Sequence, residues 1–162
     1  MLKPAILYKE EIIKEIQKRY YTHDLICFTG ALDNCLPNIL NEPERGVYQY
    51  AIVDQHDKLI GYISYRLDYY DSCAYCFQLI SFDEGNWIVG RDLNCIMVDL
   101  LVNQHIHRLE WRAIDTCSII RHYDKFINEW NGSKVVLHDV FKDEYGHYHN
   151  EYLYEILNVF DS

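Results

Sequence analysis

The sequence has few basic residues for its size. It contains 15 lysines and arginines against 25 aspartates and glutamates, which gives a formal net charge of −10 at neutral pH. Proteins that bind nucleic acid normally present a basic face, so this balance argues against a nucleic-acid partner. A negative total attracts cations over long distances, and we therefore expect a cationic substrate or partner.

Long hydrophobic runs are also missing. No apolar stretch approaches the roughly 20 residues that a transmembrane helix needs, and the first residues do not form a signal-peptide pattern. The six cysteines fall among predicted helix and strand residues, in a chain of 162 residues that can form a core without disulfides. We expect one domain over residues 1–162, no membrane partner, and reduced thiols in the cytoplasm.

Motifs for metals and nucleotides are weak or absent. Cys73 and Cys76 have the spacing of half a zinc site, but no second pair follows, and strand residues three apart point to opposite faces. Gly-x-Gly-x-x-Gly and Walker sequences do not occur, and no local signature of a cysteine protease is present. Two His-x-His pairs lack a third ligand nearby and are interpreted as surface residues: His105, His107, His147 and His149. The sequence predicts no metal site.

The most informative stretch is 73–104. Ala74–Phe82 is apolar and predicts a strand, Asp83–Gly90 predicts a loop, and Arg91–Gln104 predicts an amphipathic helix. Five apolar residues of the helix recur at i, i+3, i+4, i+7 and i+8: Leu93, Ile96, Met97, Leu100 and Leu101. A strand that enters a helix through a glycine-containing turn leaves N–H groups and the positive end of the helix dipole for an anion, typically phosphate. An ordinary strand–loop–helix connection is the alternative interpretation.

The rest of the chain also alternates between strand and helix patterns. Strands are predicted at Ala5–Tyr8, Tyr48–Val53, Leu59–Asp68, His107–Ala113, Lys134–Phe141 and Tyr148–Leu157. Helices are predicted at Glu10–Tyr21 and Thr116–Trp130, with a short one around Asn38–Glu42 in the otherwise irregular segment Thr22–Asn41. Asp115 or Thr116 is the candidate N-cap of the last helix. The pattern predicts an α/β fold.

This order of elements resembles that of the GNAT superfamily of acetyl-CoA-dependent N-acetyltransferases over nearly the whole chain. The family's pyrophosphate loop is Gln/Arg-x-x-Gly-x-Gly/Ala. Trp often takes its first position in the branch that contains ribosomal-protein, polyamine and drug N-acetyltransferases. Trp87-Ile-Val-Gly90-Arg91-Asp92 has this Trp and the central Gly, but Asp92 replaces the small last residue.

A second family pattern is Asn-x-x-Ala/Ser-x-x-Leu-Tyr-x-Lys-x-Gly-Phe. Thr116-Cys-Ser-Ile-Ile-Arg-His-Tyr123-Asp-Lys125 is similar to it and keeps the Tyr and the Lys. Thr116 takes the place of the Asn, and Ile127-Asn128 takes the place of Gly-Phe. The tail from Gly146 to Leu157 resembles the final strand of the same branch.

The resemblance implies a GNAT-like mixed, mostly antiparallel, twisted sheet with helices on both faces. It implies transfer of acetyl from acetyl-CoA to the primary amine of a cationic acceptor, such as a polyamine, an aminoglycoside or a basic protein N-terminus. The strand before the helix would splay from its neighbour and bind the cofactor along its edge, and the amides of Val89–Asp92 would receive the pyrophosphate. The implied cofactor-binding residues are Leu79, Ile80, Ser81, Phe82, Trp87, Ile88, Val89, Gly90, Arg91, Asp92 and Thr116.

Tyr123 matches the general acid of the family. The departing thiolate of coenzyme A needs a proton donor that is still protonated at neutral pH, and a tyrosine meets that condition. A tyrosine packed in the core is the alternative interpretation. Asp83 and Glu84 follow the central strand and are candidate bases, with solvated loop acids as the alternative.

Asp92 fits the predicted helix and conflicts with the predicted ligand. A carboxylate in the first turn suits the helix dipole, but it would repel a pyrophosphate bound at the same turn unless Arg91 offsets it by pairing with the phosphate. A non-catalytic binding or regulatory module on the GNAT fold is therefore the alternative function. A homodimer through the C-terminal strands is a further hypothesis, based on four aromatic residues: Tyr145, Tyr148, Tyr152 and Tyr154.

Overall fold

The computed structural model describes residues 1–20, 37–143 and 145–158, with the side chain of Tyr20 left out. The predicted irregular segment from Thr22 lies outside these residues up to position 36, together with Cys27 and Cys35. None of the helices in the described part is both long and apolar enough to cross a bilayer. No disulfide joins the four described cysteines: Cys73, Cys76, Cys95 and Cys117.

Seven described strands form one sheet in the order β1-β2-β3-β4-β5-β7-β6. The strands are β1 Leu2–Pro4, β2 Val47–Val53, β3 Leu59–Asp68, β4 Cys73–Ser81, β5 Arg108–Ile114, β6 Ser133–Lys142 and β7 Tyr148–Leu157. The helices are α1 Lys9–Tyr20, α2 Trp87–Val102 and α3 Ile120–Glu129. Every strand pairing is antiparallel except that between β4 and β5. The predicted mixed, mostly antiparallel sheet is confirmed.

Helices cover both faces of this sheet, as predicted. On one face, Ile12 and Ile16 of α1 are buried against β2 and β3. Successive residues of β2 alternate between the faces. Ala51 and Val53 belong to the core under α1, whereas Ile52 belongs to the larger core that contains the buried stripe of α2 and the inner face of α3.

Two short predicted elements are wrong. Ala5–Tyr8 is a single turn of 3₁₀ helix, and the strand that pairs with β2 is Leu2–Pro4. An apolar run this short does not distinguish strand from helix. The predicted helix at Asn38–Glu42 is also absent, since residues 37–42 are not helical. The side chain of Gln49 instead accepts a hydrogen bond from the amide of Leu40 at 2.9 Å and donates one to the carbonyl of Asn38 at 2.8 Å.

The last helix begins later than predicted. α3 starts at Ile120, and Ile119 is its N-cap residue without a side-chain hydrogen bond. Neither Asp115 nor Thr116 caps it. Asp115 Oδ2 accepts a hydrogen bond from the amide of Asn150 at 3.0 Å instead, which binds the loop between β5 and α3 to β7.

β4 and β5 meet only at their beginnings. Their pairing covers two residue pairs: Cys73 with Arg108 and Ala74 with Leu109. β4 continues to Ser81 and β5 continues to Ile114, but the two strands diverge. The predicted splay is therefore present, and β4 no longer pairs with β5 beyond Ala74.

A β-bulge in β4 lies where this divergence begins. The register between β3 and β4 shifts between two pairs: Ser64 with Gln78 and Arg66 with Tyr75. Tyr65 therefore opposes two residues of β4, and one of them, Cys76, has a φ of +52°. An extra residue bends its strand and increases the local twist, which accounts for the turn of the second half of β4 away from β5.

The tyrosines of the C-terminal strands do not form one exposed surface. Tyr154 is fully buried under α3, and Tyr152 is half-buried beside it. Tyr145 and Tyr148 are exposed. The face that Tyr148, Tyr152 and Tyr154 share by alternation is mainly core, so this face does not support the hypothesis of a dimer.

Candidate active site

The divergence of β4 and β5 opens a cleft of about 930 Å³. Its walls are the open edge of β4, the first turns of α2, the loop between β5 and α3, and α3 itself. Ten predicted site residues line it: Leu79, Ile80, Ser81, Glu84, Trp87, Val89, Gly90, Arg91, Thr116 and Tyr123. The splay thus joins two sequence motifs that are about thirty residues apart in a single cavity.

Four predicted site residues do not line the cleft: Phe82, Asp83, Ile88 and Asp92. The ring of Phe82 lies beneath the guanidinium of Arg19, with 5.1 Å between the guanidinium carbon and the ring centre. Asp83 is exposed, and its Oδ2 accepts a hydrogen bond from Asn86 Nδ2 at 2.9 Å. Ile88 packs against the larger core.

The start of α2 differs from the prediction. Asn86 is the N-cap, and its Oδ1 accepts a hydrogen bond from the amide of Ile88 at 3.0 Å. The helix therefore begins at Trp87 rather than at Arg91. Val89 therefore lies in the first turn, where its amide donates to the carbonyl of Asn86 at 3.2 Å, and Arg91 and Asp92 follow in the second turn. The role of the Val89–Asp92 amides in binding a pyrophosphate stays a prediction. The positive end of the dipole faces the cleft, which Trp87, Val89 and Gly90 line.

Asp92 is turned away from the cleft. Its side chain is 7% exposed, and its Oδ1 accepts hydrogen bonds from Arg91 Nε at 2.8 Å and from Arg91 Nη2 at 2.6 Å. Its Oδ2 lies 2.8 Å from the amino group of Met1. The negative charge is therefore paired inside the protein and does not project into the anion-binding end of the cleft.

The cleft is less acidic than the chain as a whole. Its lining includes the cations Arg19, Arg91 and Lys125 against two carboxylates, Glu84 and Glu129, in a chain whose formal net charge is −10. Arg91 and Arg19 also pair with Asp92 and Glu15 outside the lining, so the cleft is close to neutral and repels an anionic ligand less than the net charge of the chain suggests.

An exposed aromatic ring stands at the start of α2. Trp87 is 68% exposed, and the guanidinium carbon of Arg91 lies 5.0 Å from the centre of its ring. Since Arg91 also pairs with Asp92, its side chain is held along the surface of the first two turns. The pair presents a flat apolar face and a cation side by side at the rim of the cleft.

Tyr123 enters the cleft from α3. It is 2% exposed, and its ring lies 5.5 Å from that of Trp111 and 5.4 Å from that of Tyr154, measured between ring centres. The predicted general acid therefore combines both interpretations of the sequence: it is packed in the core, and it also contributes to the cleft wall.

A hydrogen-bonded group fixes α3 to the sheet next to Tyr123. Tyr154 donates to Asp124 Oδ1 at 3.0 Å, and Lys134 Nζ donates to the same oxygen at 2.8 Å. Burial raises the pKa of Tyr154, and the hydrogen bond to Asp124 raises it further, so this tyrosine stays neutral at physiological pH. Tyr154 thus supports Tyr123 through both its ring and its hydroxyl.

The two candidate bases are both exposed loop acids. Glu84 lines the cleft, whereas Asp83 does not. Their predicted role as bases stays a prediction.

Sequence reasoning did not select two cationic residues of the lining, Arg19 and Lys125. Arg19 Nη2 donates to the carbonyl of Phe82 at 2.8 Å, a contact across 63 residues for which the local sequence contains no signal. Lys125 was identifiable in principle, because it occupies the lysine position of the second family pattern and lies half a turn after Tyr123 on α3.

No protein-family model matches the sequence, and no curated protein matches it in a sequence search. Solved structures match its fold. A putative phosphinothricin N-acetyltransferase superposes with a TM-score of 0.71 at 11% identity, over 99% of each chain. A GCN5-related N-acetyltransferase from Kribbella flavida gives 0.70 at 14% identity, over 97% of this chain and 96% of the other. A spermidine/spermine N-acetyltransferase from Vibrio cholerae gives 0.54 at 17% identity, over 90% and 74%.

Proposed function

We propose that this chain, which has the GNAT fold shared by these structures, is an N-acetyltransferase that moves acetyl from acetyl-CoA to a primary amine. The observation that carries the proposal is the open edge of β4. It runs through the cleft towards the N-terminus of α2, with Tyr123 on the facing wall. This arrangement supports the proposal because an extended ligand arm, an anion and a proton donor would all lie within one cleft.

The open strand edge fits the pantetheine arm of the cofactor. Beyond Ala74, β4 no longer pairs with β5, and an amide-containing arm can pair with the edge of a strand as an added strand does. Gly90 faces the cleft, and no heavy atom lies within 4 Å of the place a Cβ would occupy. This gap leaves room for a phosphate close to the backbone of α2, with Arg91 and Lys125 nearby as cations.

The reaction requires that the amine lose protons and that the departing sulfur gain one. A lysine-like amine has a pKa of about 10.4, so freeing its electron pair at neutral pH costs roughly 4–5 kcal/mol. The amine nitrogen then attacks the thioester carbon, the C–S bond breaks, and Tyr123 donates its proton to the departing sulfur. The second proton leaves the amine through water or a carboxylate, for which Glu84 is the candidate in the lining, and a proton taken up from water restores the Tyr123 hydroxyl. No metal is required by this sequence of steps.

The acceptor that we propose is a cationic amine in the cytoplasm, such as a polyamine, an aminoglycoside or a basic protein N-terminus. The formal net charge of −10 supports this class, because it favours the approach of cations.

A second candidate function is a non-catalytic binding or regulatory module on the same fold. The start of α2 favours it. Asn86 and the early beginning of the helix already satisfy amides of Ile88 and Val89 that would otherwise be free for a pyrophosphate. In this interpretation the protein itself fills part of the anion seat.

Thermal unfolding with and without acetyl-CoA distinguishes the two. A ligand at about 100 times its dissociation constant adds roughly 2.7 kcal/mol and raises the midpoint by several degrees. A clear rise supports the enzyme and justifies an assay of thiol release with a panel of amines, starting with polyamines. If neither acetyl-CoA nor desulfo-CoA raises the unfolding midpoint, the result favours the non-catalytic module.

A further inference from the structure

His149 of β7 lies between two carboxylates from different parts of the chain. Its Nε2 is 3.1 Å from Asp143 Oδ2, in the turn between β6 and β7. Its Nδ1 is 3.3 Å from Asp115 Oδ1, in the loop between β5 and α3. The imidazole is mostly buried, with 19% of its side chain exposed. The prediction that His149 is a surface histidine is therefore wrong, since tertiary contacts enclose it.

The geometry selects the charged form of this imidazole. A neutral imidazole carries one N–H and donates to one carboxylate only, whereas an imidazolium carries two and donates to both. Both ring nitrogens of His149 face a carboxylate oxygen. Among the described residues the buried Asp115 Oδ1 has no hydrogen-bond donor within bonding geometry, so its contact with Nδ1 is an ion pair, which is lost when the imidazolium loses its proton.

One of these contacts holds a wall of the cleft. Asp115 begins the loop over 115–119, and the next four residues all line the cavity: Thr116, Cys117, Ser118 and Ile119. The loop has no capping side chain at its junction with α3. Asp115 joins this loop to β7 in three ways: its amide donates to the carbonyl of Asn150 at 2.9 Å, its Oδ2 accepts from the amide of Asn150 at 3.0 Å, and its Oδ1 lies 3.3 Å from His149 Nδ1.

The other contact fixes the imidazole itself. Asp143 Oδ1 accepts hydrogen bonds from the amides of Tyr145 at 2.9 Å and His147 at 2.8 Å, which locks the turn around its carboxylate. Its Oδ2 is then directed at His149. The position of His149 is therefore set by the carboxylate of Asp143, and its second nitrogen faces Asp115.

We propose that His149, as an imidazolium, is a positioning residue for the ligand cleft: it binds the loop over 115–119 to the turn between β6 and β7 and releases this loop when it loses its proton. The device acts on the same cleft as the proposed acetyl-CoA site, so its effect on cofactor affinity rests on the proposed function. The proposal that His149 holds the loop does not depend on the proposed function.

The charges around His149 set the direction of the pH dependence. The hydrogen bond to Asp143 raises the pKa of His149 above its usual value, partial burial opposes this rise, and Asp115 adds to it. His147 shares Asp143, at 3.3 Å. Glu151 is two residues along the same face of β7 and pairs with Arg112. Phe141 of β6 contributes an uncharged ring at 6.2 Å.

A raised pKa in the folded state has a defined consequence. The stability that the contact contributes is complete below the ordinary histidine value of about 6.5 and is lost as the pH rises through the folded-state value. The loop is therefore held at mildly acidic pH and released at alkaline pH.

Hydrogen exchange of the peptide that covers 115–119 tests this directly. Protection, corrected for intrinsic exchange rates, should fall several-fold in the wild type between about pH 6, below the ordinary histidine pKa, and about pH 8.5. In His149→Gln it should be low at both values. His138→Gln, which removes an exposed imidazole from β6, should behave like the wild type.

A second variant covers the case in which His149→Gln unfolds. Asp115→Asn keeps an oxygen for the amide of Asn150 and removes the charge that His149 faces, so it should flatten the pH dependence within a folded protein. The proposal is overturned if either folded variant keeps the pH dependence of the wild type, or if exchange rises equally in all peptides.

Acetyl-CoA affinity at the same two pH values measures the consequence for the cleft. The weakening from low to high pH should be several-fold larger in the wild type than in His149→Gln, and titration of the cofactor phosphates cancels in this comparison. Equal weakening in both proteins would reduce His149 to a purely structural role. If acetyl-CoA binds neither protein, the proposed function fails, and hydrogen exchange alone decides the proposal for His149.

Discussion

The guanidinium of Arg91 donates two hydrogen bonds to the carboxylate of Asp92, the next residue in the chain. Nε and Nη2 of Arg91 lie 2.8 Å and 2.6 Å from Asp92 Oδ1. The pair explains how an acidic residue is accommodated at the last position of a phosphate-loop motif. Arg91 neutralises the charge of Asp92. This pairing also leaves Arg91 less available to bind a phosphate.

Asp92→Ala should therefore bind acetyl-CoA more tightly while folding less stably. Removing a buried partner costs about 1–3 kcal/mol, and the released guanidinium becomes available to the pyrophosphate. Calorimetric titration and chemical unfolding measure the two effects. Asp92→Asn is the matched control, since it keeps the shape and removes the charge. An unchanged affinity in both variants would show that Arg91 does not bind the ligand.

Gly90→Ala should raise the stability of the protein and weaken its binding of acetyl-CoA. Gly90 lies inside α2, and a Cβ there would meet no heavy atom within 4 Å. Alanine in place of glycine stabilises a helix interior by about 0.5–1 kcal/mol, so the unfolding midpoint should rise by a few degrees. The added methyl group projects into the cleft and should weaken acetyl-CoA binding. A more stable protein with unaltered affinity would place the phosphate elsewhere.

Tyr123→Phe should reduce turnover by about 10²-fold or more, in the range found for a general acid. The ring contacts with Trp111 and Tyr154 are kept, so the unfolding midpoint and the affinity for acetyl-CoA should change little. Steady-state kinetics with a fixed amine measures the effect. Tyr148→Phe, at an exposed position of β7, is the control. Full activity in Tyr123→Phe would exclude this residue as the proton donor.

Asn86→Ala tests whether the N-cap competes with a ligand. Loss of the hydrogen bond to the amide of Ile88 should cost about 1 kcal/mol, which lowers the midpoint by a few degrees. If Asn86 closes the anion seat, the same change should raise acetyl-CoA affinity. Asn128→Ala, at an exposed position of α3 outside the lining of the cleft, serves as the comparison. Equal affinity in wild type and Asn86→Ala contradicts the competition.

The lowered pKa of Asp143 predicts that the protein loses stability at acid pH. Burial raises its pKa, but the hydrogen bonds from His149 and from the amides of His147 and Tyr145 outweigh burial and lower the pKa to about 2. A carboxylate with a depressed pKa contributes stability above its usual value, and this contribution is lost as the pH falls through the folded-state value. The wild-type midpoint should therefore drop more between about pH 4 and about pH 2 than that of Asp143→Asn.

Asp71→Asn, in the exposed turn between β3 and β4, controls for the general effect of removing one acidic group. It should follow the wild type over this pH range. A parallel drop in wild type and Asp143→Asn would show that the turn is held without the charge of Asp143.

The sequence predicts best where a periodic pattern coincides with burial. The stripe from Leu93 to Leu101 was identified from its helical spacing alone, and all of its residues are buried in α2. The start of the same helix was missed because Gly90 suggested a loop. Asn86 was the signal for the true start, since it is a favoured N-cap residue directly before an apolar segment.

The candidate site could be predicted only in part. Its motif residues were found through a resemblance, because the gap between β4 and β5 depends on a bulge at Cys76 and on strand register, which alternation does not encode. The group of Asp115, Asp143 and His149 could not be found at all. Its members are separated by 28 and 6 positions, and only the pairing of β5 with β7 brings them together.

The short pairing of β4 with β5 has a consequence for the solubility of the protein. An unpaired strand edge is normally a template for another polypeptide and hence a route to aggregation. Here the last residues of this edge, Leu79–Ser81, line a walled cavity. A slender extended molecule is able to enter and satisfy the backbone groups, whereas a β-strand of a neighbouring protein, with its flanking side chains, meets α2 and α3 first. The walls of the cleft thus restrict access to this strand edge to small ligands.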